Sequence, residues 1–101
     1  MNRYAHVAGW GMYIPSQCLS NDDLAQRVDT SDEWIRSRTG IVERHVAGER
    51  ETTASMATEA ARLALNQANV APGDVDAIIV ATITSDYVFP STSCLVQAGL
   101  G

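Results

Sequence analysis

The chain has 101 residues, enough for one small domain with a single core. Its formal net charge of −5 argues against nucleic acid or an anionic membrane as the main partner. No apolar run reaches the roughly 18 residues of a membrane span, and the first residues do not resemble a signal peptide. Cys18 and Cys94 match no metal-binding spacing and are expected to be reduced thiols of a cytoplasmic protein.

The first predicted elements are a strand over 4–10 (YAHVAGW) and a short helix further on. The glycines in GWGMYIP do not have the GxGxxG spacing of a dinucleotide site, so they indicate a bulge or a close approach of the backbone. Ser20 and Asp23 have the spacing of a capping pair, which predicts a helix that continues through Val28.

The most informative stretch is 29–41 (DTSDEWIRSRTGI). Thr30 and Glu33 have the spacing of a capping box, and a glycine follows at position 40, so a helix is predicted over about 31–39. Trp34 and Arg38 are four residues apart and therefore lie on one face of that helix. An indole beside a guanidinium suits a purine ring that carries phosphates. The alternative is a tryptophan that anchors the helix to a core with its arginines in solvent, and spacing alone favours this alternative.

A partly exposed strand is predicted over 41–46, and His45 within it is expected to be a structural or surface residue rather than a base. Thr52 or Thr53 is expected to cap a long, alanine-rich helix over 54–69.

The apolar run 75–81 (VDAIIVA) predicts a fully buried strand of a parallel sheet. Together with the preceding strand and helix it makes a βαβ unit, and the predicted fold class is therefore α/β. The polar loop 82–90 follows the carboxyl end of this strand, where open α/β sheets usually bind ligands. Ser91 is expected to cap a last helix over 92–100.

The run DTSDEWIRSRTGI, followed by Glu43-Arg44-His45, resembles the signature of β-ketoacyl-acyl carrier protein synthase III, the thiolase-fold enzyme that starts bacterial fatty-acid synthesis. The resemblance covers essentially the whole chain and also includes Gly9-x-Gly11-x-Tyr13-x-Pro15, Asn21, Leu24, 79–82 (IVAT) and Phe89-Pro90-Ser91. It implies that residues 1–101 are the N-terminal part of the first half of a thiolase-like fold, layered α/β/α/β/α with a mixed sheet. The fold would be incomplete in this chain, with its second half absent.

The resemblance implies an acyltransferase that condenses an acyl-CoA primer, expected to be acetyl-CoA, with malonyl-acyl carrier protein to give a 3-oxoacyl-acyl carrier protein. In the family, a Cys nucleophile carries the acyl group while a His and an Asn assist decarboxylation. All three family residues follow the part matched here, so no catalytic residue is assigned and the 101-residue chain alone is predicted to be inactive. Cys94, near a helix N-terminus, is expected to be a buried structural thiol rather than the nucleophile.

Part of a CoA site is also implied by the resemblance. Trp34 would stack on the adenine, Thr30 would hydrogen-bond near it, and Arg38 with Thr39 would line the nucleotide and phosphate end. Phe89 corresponds to the residue that reaches across the dimer interface into the partner's acyl pocket, although a core aromatic is the simpler interpretation without the resemblance. Residues 85–88 (SDYV) differ from the family's small or His-containing loop. The acyl group of the primer is therefore not determined, and both acetyl and a longer or branched group are considered.

The expected partners are acyl-CoA, acyl carrier protein and a second copy in a homodimer, with no metal and with CoA as a substrate rather than a cofactor. Two other classes remain open. One is a related thiolase-fold enzyme, either a starter synthase of secondary metabolism or a hydroxymethylglutaryl-CoA synthase; the other is a non-catalytic chain that binds CoA or pairs with another subunit. The intact DTSDEWI and RTGI favour synthase III, whereas Asp86-Tyr87 is the reason that the related thiolase-fold enzymes stay an alternative.

Overall fold

A computed structural model describes residues 3–101, which form two compact units, one of residues 14–50 and one of residues 3–13 with 51–101. The elements in chain order are β1 (Gln17–Ser20), α1 (Asn21–Ala25), α2 (Asp32–Thr39), β2 (Glu43–Val46), α3 (Thr53–Ala68), a 3₁₀ turn (Pro72–Asp74) and α4 (Thr92–Leu100). Within residues 3–101, no helix is long and apolar enough to cross a membrane.

The unit of residues 14–50 contains a two-stranded antiparallel sheet. β1 pairs with β2 so that Cys18 lies opposite His45 and Leu19 lies opposite Arg44. The exposed strand predicted over 41–46 is confirmed as β2. The sequence did not predict β1, because four residues without a β-branched side chain give a weak strand signal.

The capping of the two helices in this unit is partly as predicted. Ser20 and Asp23 form the predicted capping box of α1, but α1 ends at Ala25 rather than Val28. The capping box predicted for Thr30 is wrong, because Ser31 is the N-cap of α2 and its hydroxyl accepts from the Trp34 N–H at 3.1 Å. Gly40 ends α2 with φ of 72°, a left-handed conformation that glycine adopts without steric cost.

Asn21 joins the elements of this unit and is only 1% exposed. Its side-chain amide donates to the Asp32 carboxylate at 2.7 Å and to the Ile41 carbonyl at 2.8 Å. Its side-chain oxygen accepts from the Arg44 guanidinium at 2.6 Å. A buried polar side chain with satisfied hydrogen bonds therefore fixes α2 and β2 to the start of α1.

Helices α3 and α4 pack on each other in the second unit. α3 begins one residue earlier than predicted and is capped by Thr52, whose hydroxyl accepts from the Ser55 N–H; α4 has the predicted bounds. Val96 is 2% exposed and Thr58 is 8% exposed, and both lie in this unit. The helices approach closely at Gly99, where a Cβ would lie 2.9 Å from a Thr58 side-chain carbon.

The close approach predicted for Gly9 and Gly11 is confirmed. A Cβ at Gly9 would lie 2.5 Å from the Ala64 carbonyl oxygen of α3, and one at Gly11 would clash with the Ala60 carbonyl and the Ala64 nitrogen. Glycine at these positions lets the backbone of the first segment lie directly on the alanine-rich surface of α3.

Two predicted strands are not formed, and this corrects the expectation of a parallel βαβ pair. Among residues 3–101 the only sheet is β1–β2, and neither 4–10 nor 75–81 belongs to it. Ile79, expected to be buried, is 92% exposed. Apolar composition favours a strand, but a strand requires a neighbour that pairs with its backbone N–H and C=O groups.

Candidate functional site

Helix α2 presents an aromatic and cationic surface to solvent. Trp34 is 56% exposed, and the Arg38 guanidinium carbon lies 5.8 Å from the centroid of its ring, within cation–π range. Ile35 is the buried residue of this helix, at 7% exposure. The helix is therefore anchored by Ile35, and the alternative in which Trp34 is the core anchor is wrong.

The two arginines of α2 differ in their partners. Arg36 forms an ion pair with Asp32 at 2.9 Å, one turn earlier in the helix. Hydrogen bonds from Asn21 and then from Arg36 hold the pKa of the Asp32 carboxyl below its ordinary value. Residues 3–101 contain ion pairs at Arg36 and Arg62 but none at Arg38. The charge of Arg38 is therefore available to an anionic ligand beside the indole.

A depression of about 330 Å³ lies beside this indole and is lined by Asp29, Thr30, Ser31 and Trp34. Its volume is at the lower end of small-molecule sites, which run from roughly 300 to 1,000 Å³. Thr30 and Trp34, two of the residues that the resemblance implies for a CoA site, thus line the same depression. The hydroxyl of Ser31 is already engaged in capping, whereas Thr30 is half-buried in the wall.

Thr39 has a local role at the end of α2. Its hydroxyl donates to the Ile35 carbonyl at 2.8 Å and accepts from the Ile41 N–H at 3.1 Å. The side-chain hydrogen atom is therefore used within the turn, and only a remaining lone pair of the oxygen is left for a ligand.

Phe89 lies in the loop before α4 and is 88% exposed, so the interpretation as a core aromatic is wrong within the described residues. Its neighbour Val88 is also fully exposed.

Asp86, in the same loop, contacts helix α3. Its carboxylate accepts hydrogen bonds from the Thr53 and Ala54 N–H groups at 2.9 Å each. The negative charge sits at the N-terminus of α3, where free N–H groups and the helix dipole favour it.

Cys94 is exposed, which corrects the prediction of a buried thiol. The buried residues of α4 are Thr92 and Val96, and Cys94 lies between them in sequence on a different face of the helix. Its sulfur accepts a hydrogen bond from the Ser91 hydroxyl at 3.2 Å. It also lines a cavity of about 320 Å³ that includes Pro72 and Val75.

One group of side chains, on the exposed face of the two-stranded sheet, was not predicted from the sequence. Cys18, Glu43 and His45 are all exposed, and their potential ligand atoms lie within 4.8 Å of one another. The only signal in the sequence was the Glu-x-His spacing on β2, because the third member comes from a strand that was not predicted.

Solved structures define the class of fold. The chain is similar to the crystal structure of 3-oxoacyl-[acyl-carrier-protein] synthase III from Aquifex aeolicus, with 56% identity, a TM-score of 0.86, and coverage of 92% of this chain and 30% of that one. It also resembles the priming β-ketosynthase of the R1128 polyketide pathway, with 36% identity, a TM-score of 0.90, and coverage of 98% and 30%. The chain therefore has part of the α/β, thiolase-like fold of these proteins, as predicted.

Curated relatives make the assignment more specific. The β-ketoacyl-[acyl-carrier-protein] synthase III of Xylella fastidiosa is 60% identical over 98 residues, which are 97% of this chain and 30% of the relative. That of Methylococcus capsulatus is 56% identical over all 101 residues, or 32% of the relative. The resemblance to β-ketoacyl-acyl carrier protein synthase III is confirmed, and the chain spans about 30% of the length of these relatives. No protein-family model matches the chain.

Proposed function

We propose that the chain is part of an acyltransferase that condenses an acyl-CoA primer, acetyl-CoA in the simplest case, with malonyl-acyl carrier protein to give a 3-oxoacyl-acyl carrier protein. This would be the first elongation step of bacterial fatty-acid synthesis. The observation that carries the proposal is the identity of 56–60% with synthases III over nearly the whole chain. Acyl-CoA is a substrate of this reaction, and no separate cofactor is proposed.

The proposed contribution of this chain is half of the CoA site on α2. The exposed face of Trp34 offers a stacking surface for adenine, and Arg38 adds a positive charge 5.8 Å from the centre of the ring. A purine with attached phosphates matches both features, because the ring stacks and the phosphates meet Arg38, which forms no ion pair within residues 3–101. Thr30 in the adjoining depression would hydrogen-bond the nucleotide, and Thr39 would contribute only the remaining lone pair of its hydroxyl oxygen.

The bond-forming chemistry is assigned to residues outside this chain. In the proposed reaction a Cys thiolate attacks the acyl-CoA thioester and the CoA thiolate leaves, after which decarboxylation of malonyl-acyl carrier protein supplies the carbanion that takes the acyl group. We propose neither Cys18 nor Cys94 as that nucleophile. The 101-residue chain by itself is therefore expected to be inactive. Condensation by a verified 101-residue polypeptide that is lost on Cys94→Ala would overturn this assignment.

The test of the CoA half-site is steady-state kinetics of a synthase that contains these residues together with its catalytic cysteine. Trp34→Ala removes a stacking surface worth about 1–3 kcal/mol, so we expect the KM for acetyl-CoA to rise roughly 5- to 150-fold. The matched control is Trp10→Ala, because Trp10 is 63% exposed and lies in the other unit. An unchanged KM in Trp34→Ala, or an equal rise in both variants, would remove Trp34 from the site.

A second candidate function is the priming condensation of a polyketide pathway. The observation in its favour is the TM-score of 0.90 with the R1128 priming β-ketosynthase, but the identity of 36% is well below that of the fatty-acid relatives. The preferred acyl-CoA primer is one property that helps to distinguish these two candidate functions. A series of acyl-CoA primers of increasing length and branching, assayed with one acyl carrier protein, would show whether acetyl-CoA is preferred.

The partner and location proposals follow from the same assignment. We infer a homodimer of the complete enzyme in the cytoplasm, with Phe89 shaping the acyl pocket of the partner. The support for Phe89 is its exposure of 88%, which leaves the ring free to contact another surface. Phe89→Ala is expected to shift primer preference toward longer acyl groups, and an unchanged preference would contradict this role.

A further inference from the structure

The register of the two-stranded sheet places three metal-ligand types on one exposed face. Cys18 lies directly opposite His45, and residues opposite each other in an antiparallel pair project from the same face. Glu43 is two residues before His45 on β2 and therefore projects from that face as well. Arg44, between them, points the other way and donates to the Leu19 and Ser20 carbonyls at 3.2 and 3.1 Å. The face thus holds a thiol, a carboxylate and an imidazole without an intervening arginine.

The geometry of His45 favours coordination through its outer nitrogen. Its Nδ1 lies 2.7 Å from the Pro15 carbonyl oxygen, which acts only as an acceptor, so Nδ1 carries the proton and donates. In the neutral imidazole, Nε2 is then the nitrogen with a free lone pair. Metal-binding histidines usually have this arrangement, because a hydrogen bond from the second nitrogen fixes the tautomer and the orientation of the ring.

We propose that Cys18 Sγ, Glu43 carboxylate oxygen and His45 Nε2 bind one zinc ion on the exposed face of the sheet. Thiolate, imidazole and carboxylate are the ligands that zinc takes in proteins, at about 2.0–2.3 Å from the metal. Such bond lengths place tetrahedral ligand atoms roughly 3.3–3.8 Å apart. One potential ligand atom from each of the three side chains, with either ring nitrogen counted for His45, already lies within 4.8 Å of the other two. Rotation of the exposed Cys18 and Glu43 side chains would bring their ligand atoms closer to the ring of His45.

The charges of the three ligands also suit a divalent ion. A thiolate and a carboxylate together neutralise Zn²⁺, while the neutral imidazole adds none, and binding releases the thiol proton to solvent. Water would occupy the fourth position, since three protein ligands leave a tetrahedral zinc open. The site has no part in the proposed condensation and would link β1 to β2 as a structural or regulatory metal.

The experiment is a titration of the metal-free full chain with Co²⁺, which takes the place of zinc and reports a bound thiolate by its charge-transfer absorption. We expect one equivalent of Co²⁺ to give this absorption and Zn²⁺ to displace it. Cys18→Ser should abolish the band. Glu43→Gln and His45→Gln should each weaken binding at least about tenfold, since even the outer-shell partners of metal ligands contribute roughly 10- to 100-fold.

The chain supplies its own matched controls, because it has only two cysteines and two histidines. Cys94→Ser and His6→Asn change the other exposed thiol and the other exposed imidazole, and both should bind Co²⁺ like the unaltered chain. Far-UV circular dichroism checks that each variant keeps its secondary structure. The proposal is overturned if no thiolate band appears, if Cys94→Ser rather than Cys18→Ser removes the band, or if folded Glu43→Gln and His45→Gln both bind with unchanged affinity.

Discussion

Replacing the buried Asn21 by alanine tests how the unit that carries α2 is held together. The substitution removes hydrogen bonds to the Asp32 carboxylate, the Ile41 carbonyl and the Arg44 guanidinium, at 2.6–2.8 Å. Asp32 keeps Arg36, and Arg44 keeps two carbonyl partners, but the Ile41 carbonyl loses its side-chain donor. Hydrogen bonds contribute about 0.5–1.5 kcal/mol when neutral and about 1.5–3 kcal/mol when one group is charged.

The expected loss for Asn21→Ala is about 2–4 kcal/mol, below the full sum because the half-exposed partners regain contacts with water. That is a large part of a small protein's roughly 5–15 kcal/mol of stability. Urea unfolding followed by far-UV circular dichroism measures the change in the free energy of unfolding. Asn66→Ala, on an exposed position of α3, is the matched control and should stay within about 0.5 kcal/mol of the unaltered chain. A change below about 0.5 kcal/mol in Asn21→Ala would refute the role given to this hydrogen-bond network.

Three further expectations concern stability. Gly11→Ala should lower the free energy of unfolding by about 1–3 kcal/mol in urea titrations, because its Cβ meets the backbone of α3, whereas Gly73→Ala, with nothing within 4 Å, should be tolerated. The folded-state pKa of Asp32 lies below its ordinary value of 3.8, so the ionised carboxylate stabilises the fold above pH 3.8. This contribution is lost as the pH falls from 3.8 through the folded-state pKa. In Asp32→Asn, the stability measured by thermal unfolding should therefore vary less with pH below about pH 4. Asp86→Asn should cost about 0.5–2 kcal/mol, because the amide that replaces one oxygen is unable to accept both N–H groups of α3. An unchanged thermal midpoint would show that the Asp86 carboxylate does not stabilise the start of α3.

Local chemistry explains why most of the helices were predictable. Thr52 and Ser55 satisfy backbone groups only three residues apart, so the start of α3 depends on a few neighbouring residues. The shared face of Trp34 and Arg38 is equally local, since it follows from the 3.6-residue period of any helix. The choice of Ser31 over Thr30 as N-cap was harder to predict, because both hydroxyls have the right chemistry and only the backbone path decides between them.

The sequence by itself determined the helices and the residues that compose the α2 surface, because each depends on neighbours a few positions away. Gly9 and Gly11 indicated a close backbone approach, but only the tertiary structure supplied α3 as the surface they approach. Tertiary structure alone decided the pairing of β1 with β2, the exposure of Cys94 and the burial of Asn21, since these depend on partners distant in the chain. The apolar run 75–81 shows the limit most clearly: its composition favours a strand, but within residues 3–101 it joins no sheet. The thiol, carboxylate and imidazole on the sheet likewise meet only through strand register, because Cys18 and His45 are 27 positions apart (45 − 18) in the chain.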